Sequence, residues 1–211
     1  MTRIDFYFFY VSSYYFILFL AFLFNFIIFY ILSKNKLEKI DYLGLFIINI
    51  LGFALGSKIF SLLDNHLSFS IKHFFNSGYV FTGGIVGSII LIFIYCKRYE
   101  LNFSEIIKYF YIIYPNIYAF CKIGCFINNC CGGKFRIQII EAIFMFILFL
   151  ILLLNKNKNI ISVFFLLYGI IRFISDYHRN IRNIFILNLT STQIICICFI
   201  CIAIYLLIKK K

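Results

Sequence analysis

Three short segments hold the residue types that can do chemistry. The first, CKIGCFINNCCGGK (121–134), sets Cys121, Cys125, Cys130 and Cys131 beside Lys122 and Lys134 among three glycines. In the second, RIQIIEA (136–142), Gln138 and Glu141 stand three residues apart, so on a helix they share one face. The third, YGIIRFISDYHR (168–179), places Arg172 and Asp176 at the i,i+4 spacing of an ion pair, with His178 and Arg179 directly after. Cationic side chains beside thiols suit two tasks. They grip an anion such as a phosphate, for which Arg172 offers a planar bidentate fork, and they favour the thiolate form of a neighbouring cysteine. Asp176 either forms a structural pair with Arg172 or orients its fork toward a ligand.

The cysteines admit more than one reading. Their spacing lacks the paired C-x2-C of a structural zinc site, and no histidine lies close by, so no metal is expected. A disulfide between Cys121 or Cys125 and one of the adjacent pair Cys130–Cys131 is permissible on an oxidising face. Reactive thiols beside Lys122 and Lys134 are the other alternative. In a fourth segment, GYVFTGGIVG (78–87), Gly83 and Gly84 follow Thr82 at the start of an apolar run. Bare backbone N–H groups at a helix N-terminus stabilise an anion. The alternative is packing, because Gly83 and Gly87 have the small-xxx-small spacing that lets membrane helices approach closely, as do Gly52 and Gly56.

The elements that must position these residues are membrane spans. Of 211 residues 64% are hydrophobic and 13% charged, with a mean hydropathy of +0.99, whereas a soluble domain carries roughly 25% charged residues. Apolar runs at 11–32, 42–62, 79–96, 103–122, 137–154, 160–176 and 190–208 are long enough to cross a bilayer core. The expected fold is therefore one all-α polytopic domain of seven transmembrane helices over residues 1–211. The first run is read as a retained helix rather than a signal peptide, since its basic residues follow it. Cys196, Cys198 and Cys201 lie inside the last run and act there as small apolar residues.

Charge sets the expected orientation. The connections 33–39, 95–100 and 155–159 and the tail 209–211 hold ten Lys/Arg, which places them in the cytoplasm, the N-terminus outside and the C-terminus inside. Lys58, Lys122 and Arg172 then fall within spans or at their outer ends. Ionisable residues at such depth are costly and usually functional, so the three suggest a cationic pocket facing the outer leaflet, against the alternative of snorkelling to headgroups. The formal net charge of +12 fits anionic lipid. Nucleic acid is not an expected partner, because the basic residues are scattered between spans.

Taken in order, the segments GFALGSKIF (52–60), YVFTGGIVG (79–87), CKIGCFINNCCGGK (121–134), QIIEA (138–142), YGIIRFISDYHR (168–179) and TSTQI (190–194) resemble those of the prolipoprotein diacylglyceryl transferase family. The GCF…CCGGK version is similar to a divergent branch of that family. The resemblance implies a seven-helix enzyme of the bacterial cytoplasmic membrane. Such enzymes transfer the diacylglyceryl group of phosphatidylglycerol to the lipobox cysteine of a preprolipoprotein signal peptide and need no cofactor. On that resemblance catalytic roles are expected at Arg172 and Lys122 and at Glu141, Asp176 and His178, any of the last three taking the proton-handling role that Thr82 cannot, with substrate contacts at Gly83, Gly84, Thr82, Asn128, Gln138, Lys58 and Arg179. Arg172, Gln138, Glu141, Asn128, Gly83 and Gly84 match the family pattern. Thr82 stands where the family has His, Lys122 where it has Arg, Cys125 where it has Asn, Cys130 where it has an acidic residue, and Asp176 where it has Glu. These departures motivate the rival expectation of an altered homologue that binds anionic lipid or serves a different acceptor. A small transporter is less supported, since the chain shows no internal repeat.

Overall fold

In a computed structural model, residues 3–6, 9–34, 42–65, 67–129, 137–155, 159–179, 184–186 and 188–209 are described. Cys130, Cys131, Lys134, Arg136 and Arg182, and with them the alternative of a disulfide from Cys121 or Cys125 to one of the adjacent pair, lie outside them, as do parts of the basic connections at 33–39, 155–159 and 209–211. The described elements run β1 (Arg3–Phe6), β2 (Phe9–Ser12), α1 (Ser13–Ser33), α2 (Tyr42–Asp64), α3 (Ile71–Asn76), α4 (Phe81–Arg98), α5 (Phe103–Ile127), α6 (Ile137–Leu154), α7 (Ile160–Tyr177), β3 (Ile184–Ile186), β4 (Leu189–Thr190) and α8 (Ser191–Ile208). Seven of the helices are long and apolar enough to cross a membrane. They begin within two residues of the runs read from hydropathy.

One end differs. Hydropathy stops the fourth span at Lys122, but α5 continues through CKIGCFI to Ile127. The reason is electrostatic: Lys122 is buried against a carboxylate, and a paired charge does not force the helix into water. α5 is also the most buried of the seven spans. It carries Pro115 in its interior, which a membrane helix tolerates because neighbouring groups re-satisfy the freed backbone. The two antiparallel hairpins, β1–β2 and β3–β4, have no counterpart in the apolar runs.

The chain divides into two units. In the unit formed by Tyr30–Tyr109 and Asn183–Ser191, α2 and α4 meet backbone to backbone. A Cβ on Gly52 would sit 2.6 Å from Ser88 Cα, one on Gly56 2.8 Å from Gly87 Cα, and one on Gly87 2.7 Å from Gly56 Cα. Real side chains never come so close, so the glycines permit this crossing, as the small-xxx-small spacing expects. At the far end of α2 the Ser191 hydroxyl donates to Asp64 Oδ1.

The other unit comprises Met1–Phe29, Phe110–Arg182 and Thr192–Lys211. Rings fill its interior: Phe29 stacks on Phe110 at 4.7 Å and Phe164 on Tyr168 at 5.3 Å, while Phe165 meets Phe199 at 4.7 Å. Offset ring pairs of this kind add stabilisation beyond their buried area. Gly169 lets α7 approach α8, since a Cβ there would lie 2.8 Å from Ile200 Cγ1. A polar contact joins α1 and α5 across the apolar interior, Asn116 Nδ2 donating to Asn25 Oδ1 at 3.0 Å.

Candidate active site

Within the second unit, α5, α6 and α7 converge on one carboxylate. α5 brings Lys122 near its C-terminal end, α6 brings Glu141 in its second turn, and α7 brings Arg172 and Asp176 in its last two turns. Because α5 and α7 run one way and α6 the other, these positions meet at one end of the three helices. Glu141 is 1% exposed, so its charge is removed from solvent and must be met by donors. Four donors meet it. Lys122 Nζ pairs with Oε2. Oε1 accepts from Arg172 Nη1 at 2.6 Å, from the Ser175 hydroxyl at 2.5 Å and from the Tyr118 phenol at 3.0 Å.

The network extends toward the end of α7. Asp176 Oδ1 lies 3.8 Å from Arg172 Nη2 and 3.2 Å from Arg179 Nη1. Both carboxylates and the Arg172 guanidinium are nearly inaccessible, while the Arg179 side chain keeps 26% of its surface exposed. The ring of Tyr118 lies 5.3 Å from Lys122 Nζ and 5.7 Å from the Arg172 guanidinium carbon, both within cation–π range. Tyr168, T-shaped against Tyr118 at 6.1 Å, closes the apolar side.

Two features make this more than a structural ion pair. Three cations (Lys122, Arg172, Arg179) face two carboxylates (Glu141, Asp176), so the cluster carries one formal positive charge in excess. Arg172 Nε, buried, has no hydrogen-bond partner among the described residues. A buried donor without a partner is unusual enough to require an explanation.

The remaining sequence candidates distribute as follows. Gln138 is buried one turn before Glu141, on the face the i,i+3 spacing expects. Asn128 turns back onto its own helix, its amide donating to Gly124 O at 3.1 Å. His178 is exposed as the C-cap of α7. Cys121 is a buried free thiol one residue before Lys122, and Cys125 is buried one turn further on.

Lys58, Thr82, Gly83 and Gly84 belong to the first unit. There Lys58 Nζ donates to Phe75 O at 3.1 Å and to Ser77 O, and lies 4.2 Å from the Tyr79 ring, so it ties down the segment between α3 and α4. Gly84 N–H donates to Val80 O at 3.1 Å, and its Cα abuts Phe53, where a Cβ would lie 2.7 Å from the ring. Gly83 is pressed in the same way on Phe60. Both glycines thus serve the packing of α4 on α2. Thr82 is fully buried beside them.

Sequence reasoning passed over Tyr118 and Ser175. Helical spacing holds the signal: Tyr118 precedes Lys122 by four residues, and Ser175 follows Arg172 by three.

The profile of the prolipoprotein diacylglyceryl transferase family matches residues 2–209. The phosphatidylglycerol–prolipoprotein diacylglyceryl transferase of Clostridium tetani is 25% identical over 211 aligned positions, spanning 82% of this chain and 82% of that one. The enzyme of the same name from Rickettsia bellii is 27% identical, over 86% of this chain and 80% of its own. That from Campylobacter lari is 27% identical over 62% of this chain and 61% of its own. With a match running nearly end to end, seven membrane-spanning helices and a buried cationic cluster, the chain belongs to the prolipoprotein diacylglyceryl transferase family, the bacterial inner-membrane transferases of lipoprotein biosynthesis.

Proposed function

We propose that this chain moves the diacylglyceryl group of phosphatidylglycerol onto the thiol of the lipobox cysteine of a preprolipoprotein, with the lipid phosphate held by Arg172 and Lys122. The observation that carries this reading is the excess cation at Glu141 together with Arg172 Nε, which has no hydrogen-bond partner among the described residues. The phosphodiester of phosphatidylglycerol carries one negative charge, which the cluster's single excess positive charge offsets. In an apolar setting such complementarity is worth far more than in water.

The chemistry follows from that placement. The acceptor thiolate attacks the glyceryl carbon, a C–S bond forms, and the C–O bond to phosphorus breaks. The electron pair stays on the phosphate oxygen, so charge builds on the leaving glycerol phosphate as the reaction proceeds. Cations already fixed beside that oxygen stabilise the transition state without reorganising. Lys122 keeps the charge of the family's arginine but grips as a point charge, which leaves the directional hold to Arg172.

Three groups were expected to handle the thiol proton, and their surroundings rank them. Glu141 already accepts three hydrogen bonds at Oε1 and pairs with Lys122 at Oε2, and Asp176 Oδ1 faces two guanidiniums. His178, exposed at the end of α7, offers ring nitrogens to an arriving peptide, and it takes the proton in this reading. Gln138 and Arg179 line the approach, the latter as the first cation a headgroup meets.

The test is transfer of labelled diacylglyceryl from phosphatidylglycerol to a lipobox peptide by purified protein in detergent. Arg172→Ala is expected to abolish transfer. Full activity in that variant removes Arg172 from the site and with it the reading.

A further inference from the structure

Glu141 Oε1 holds three donors, while a carboxylate oxygen has two lone pairs to offer. One donor is therefore in surplus, and two of the three, the Tyr118 phenol and the Ser175 hydroxyl, are neutral. We infer that Tyr118 and Ser175 are positioning residues that hold Glu141 Oε1 in Arg172's place, so that Arg172 can transfer its Nη1 from Glu141 to the lipid phosphate. This rests on the reading of Arg172 as the phosphate-holding group.

The argument is one of exchange. A guanidinium locked to a buried carboxylate is a poor anion ligand, because leaving the carboxylate exposes an unpaired charge in a low dielectric, and that loss offsets what the phosphate gains. Here the loss is removed in advance. When Nη1 leaves, Oε1 still accepts two hydrogen bonds, Oε2 keeps Lys122, and Nε has no partner among the described residues to give up. The single Ser175 proton goes to Glu141 Oε1 at 2.5 Å in preference to Arg172 O at 3.2 Å, and Tyr118 is fully buried against Tyr168. Tyr118 contributes in a second way, since its ring face stays beneath both cations whichever anion Arg172 holds.

The experiment uses the full-length protein in detergent and varies phosphatidylglycerol. Tyr118→Phe and Ser175→Ala, singly and together, remove the hydroxyls and leave the ring and the backbone. The double variant is expected to raise KM for phosphatidylglycerol roughly tenfold or more, since hydrogen bonds to a charged group are the strong ones, with kcat at saturating lipid kept within about twofold. Ser175→Thr, which restores a hydroxyl, is expected to return KM close to the parent value. An unchanged KM in the double variant overturns the inference, as does a fall in kcat with KM intact, or a Ser175→Thr variant no better than Ser175→Ala. Arg172→Ala separates the two claims. If it loses lipid binding while the hydroxyl variants bind normally, only the exchange fails. If it binds phosphatidylglycerol like the parent, the phosphate-holding reading itself fails.

Discussion

Lys122 and Arg172 reach one carboxylate from different helices, Lys122 at Oε2 of Glu141 and Arg172 at Oε1, so that two cations are fixed side by side in a buried site. Mutual repulsion would drive them apart without the anion between them. Under the proposed function the pair is a preformed anion receptor whose spacing is set by Glu141, and its strength depends on geometry as much as on charge.

Arg172→Lys isolates geometry. It preserves charge but replaces a planar fork with a point donor, and Lys122 already supplies one of those. Transfer activity is expected to fall by roughly a hundredfold, the usual loss when an oriented transition-state donor is removed. A variant within about threefold of the parent would show that charge alone suffices, as measured by kcat/KM for phosphatidylglycerol.

Glu141→Gln tests the anchor. It leaves Lys122 and Arg172 buried with no anion between them, and breaking a buried pair from one side costs about 3–5 kcal/mol. A clear drop in thermal stability in detergent is expected. Adding Lys122→Gln should recover part of it, because one stranded charge is then removed and the two changes are coupled. Equal stability of Glu141→Gln and the parent would contradict the carboxylate's anchoring role.

How much of this was legible beforehand follows from what hydropathy and spacing can encode. The seven spans were legible because the bilayer imposes length and composition on each of them. Glu141 and Gln138 were legible as a shared inward face, and Arg172 with Asp176 as a pair, since both are local relations along one helix. Lys122 and Arg172 were expected in one cationic pocket from their depth in the spans, but that Glu141 joins them was not legible, because no local period records which helix ends converge. Lys122 itself was read as a span end, since a lone lysine looks like a boundary until its buried partner is known. Gly83 and Gly84 show the converse. Their types fitted either an anion site or packing, and the rings of Phe53 and Phe60 against them add the packing role, which no local spacing records.

Those glycines yield a stability prediction in the first unit. Gly56→Ala and Gly87→Ala each put a methyl group against backbone atoms of the facing helix, which cannot rotate away. Overpacking of this kind costs about 1–3 kcal/mol, and an earlier unfolding midpoint in a denaturing-detergent titration is expected. Gly78→Ala is the control. Its Cβ meets only Ser61 Oγ at 3.7 Å, ordinary contact, so the midpoint should not move. Equal effects at all three positions would argue against close helix approach as the cause.

The Asn25–Asn116 contact allows a prediction of ranking. Asn116 Nδ2 donates to Asn25 Oδ1 at 3.0 Å, Asn25 Nδ2 donates to Ala21 O of its own helix at 2.7 Å, and Asn116 Oδ1 is buried with no partner among the described residues. Asn25→Leu therefore strands both polar atoms of the Asn116 amide, whereas Asn116→Leu removes an unpaired oxygen and strands only Asn25 Oδ1. The first should be the more destabilising, by about 1 kcal/mol, the lower end of what an unmet buried polar group costs. Replacing both leaves no polar group behind, and the double variant should be no less stable than Asn25→Leu alone, since hydrogen bonds between membrane helices average only about 0.6 kcal/mol. Unfolding of the four proteins in mixed micelles gives the comparison. A double variant whose loss equals the sum of the two single losses would mean that each amide stabilises the fold independently, and that their contact across the unit contributes nothing.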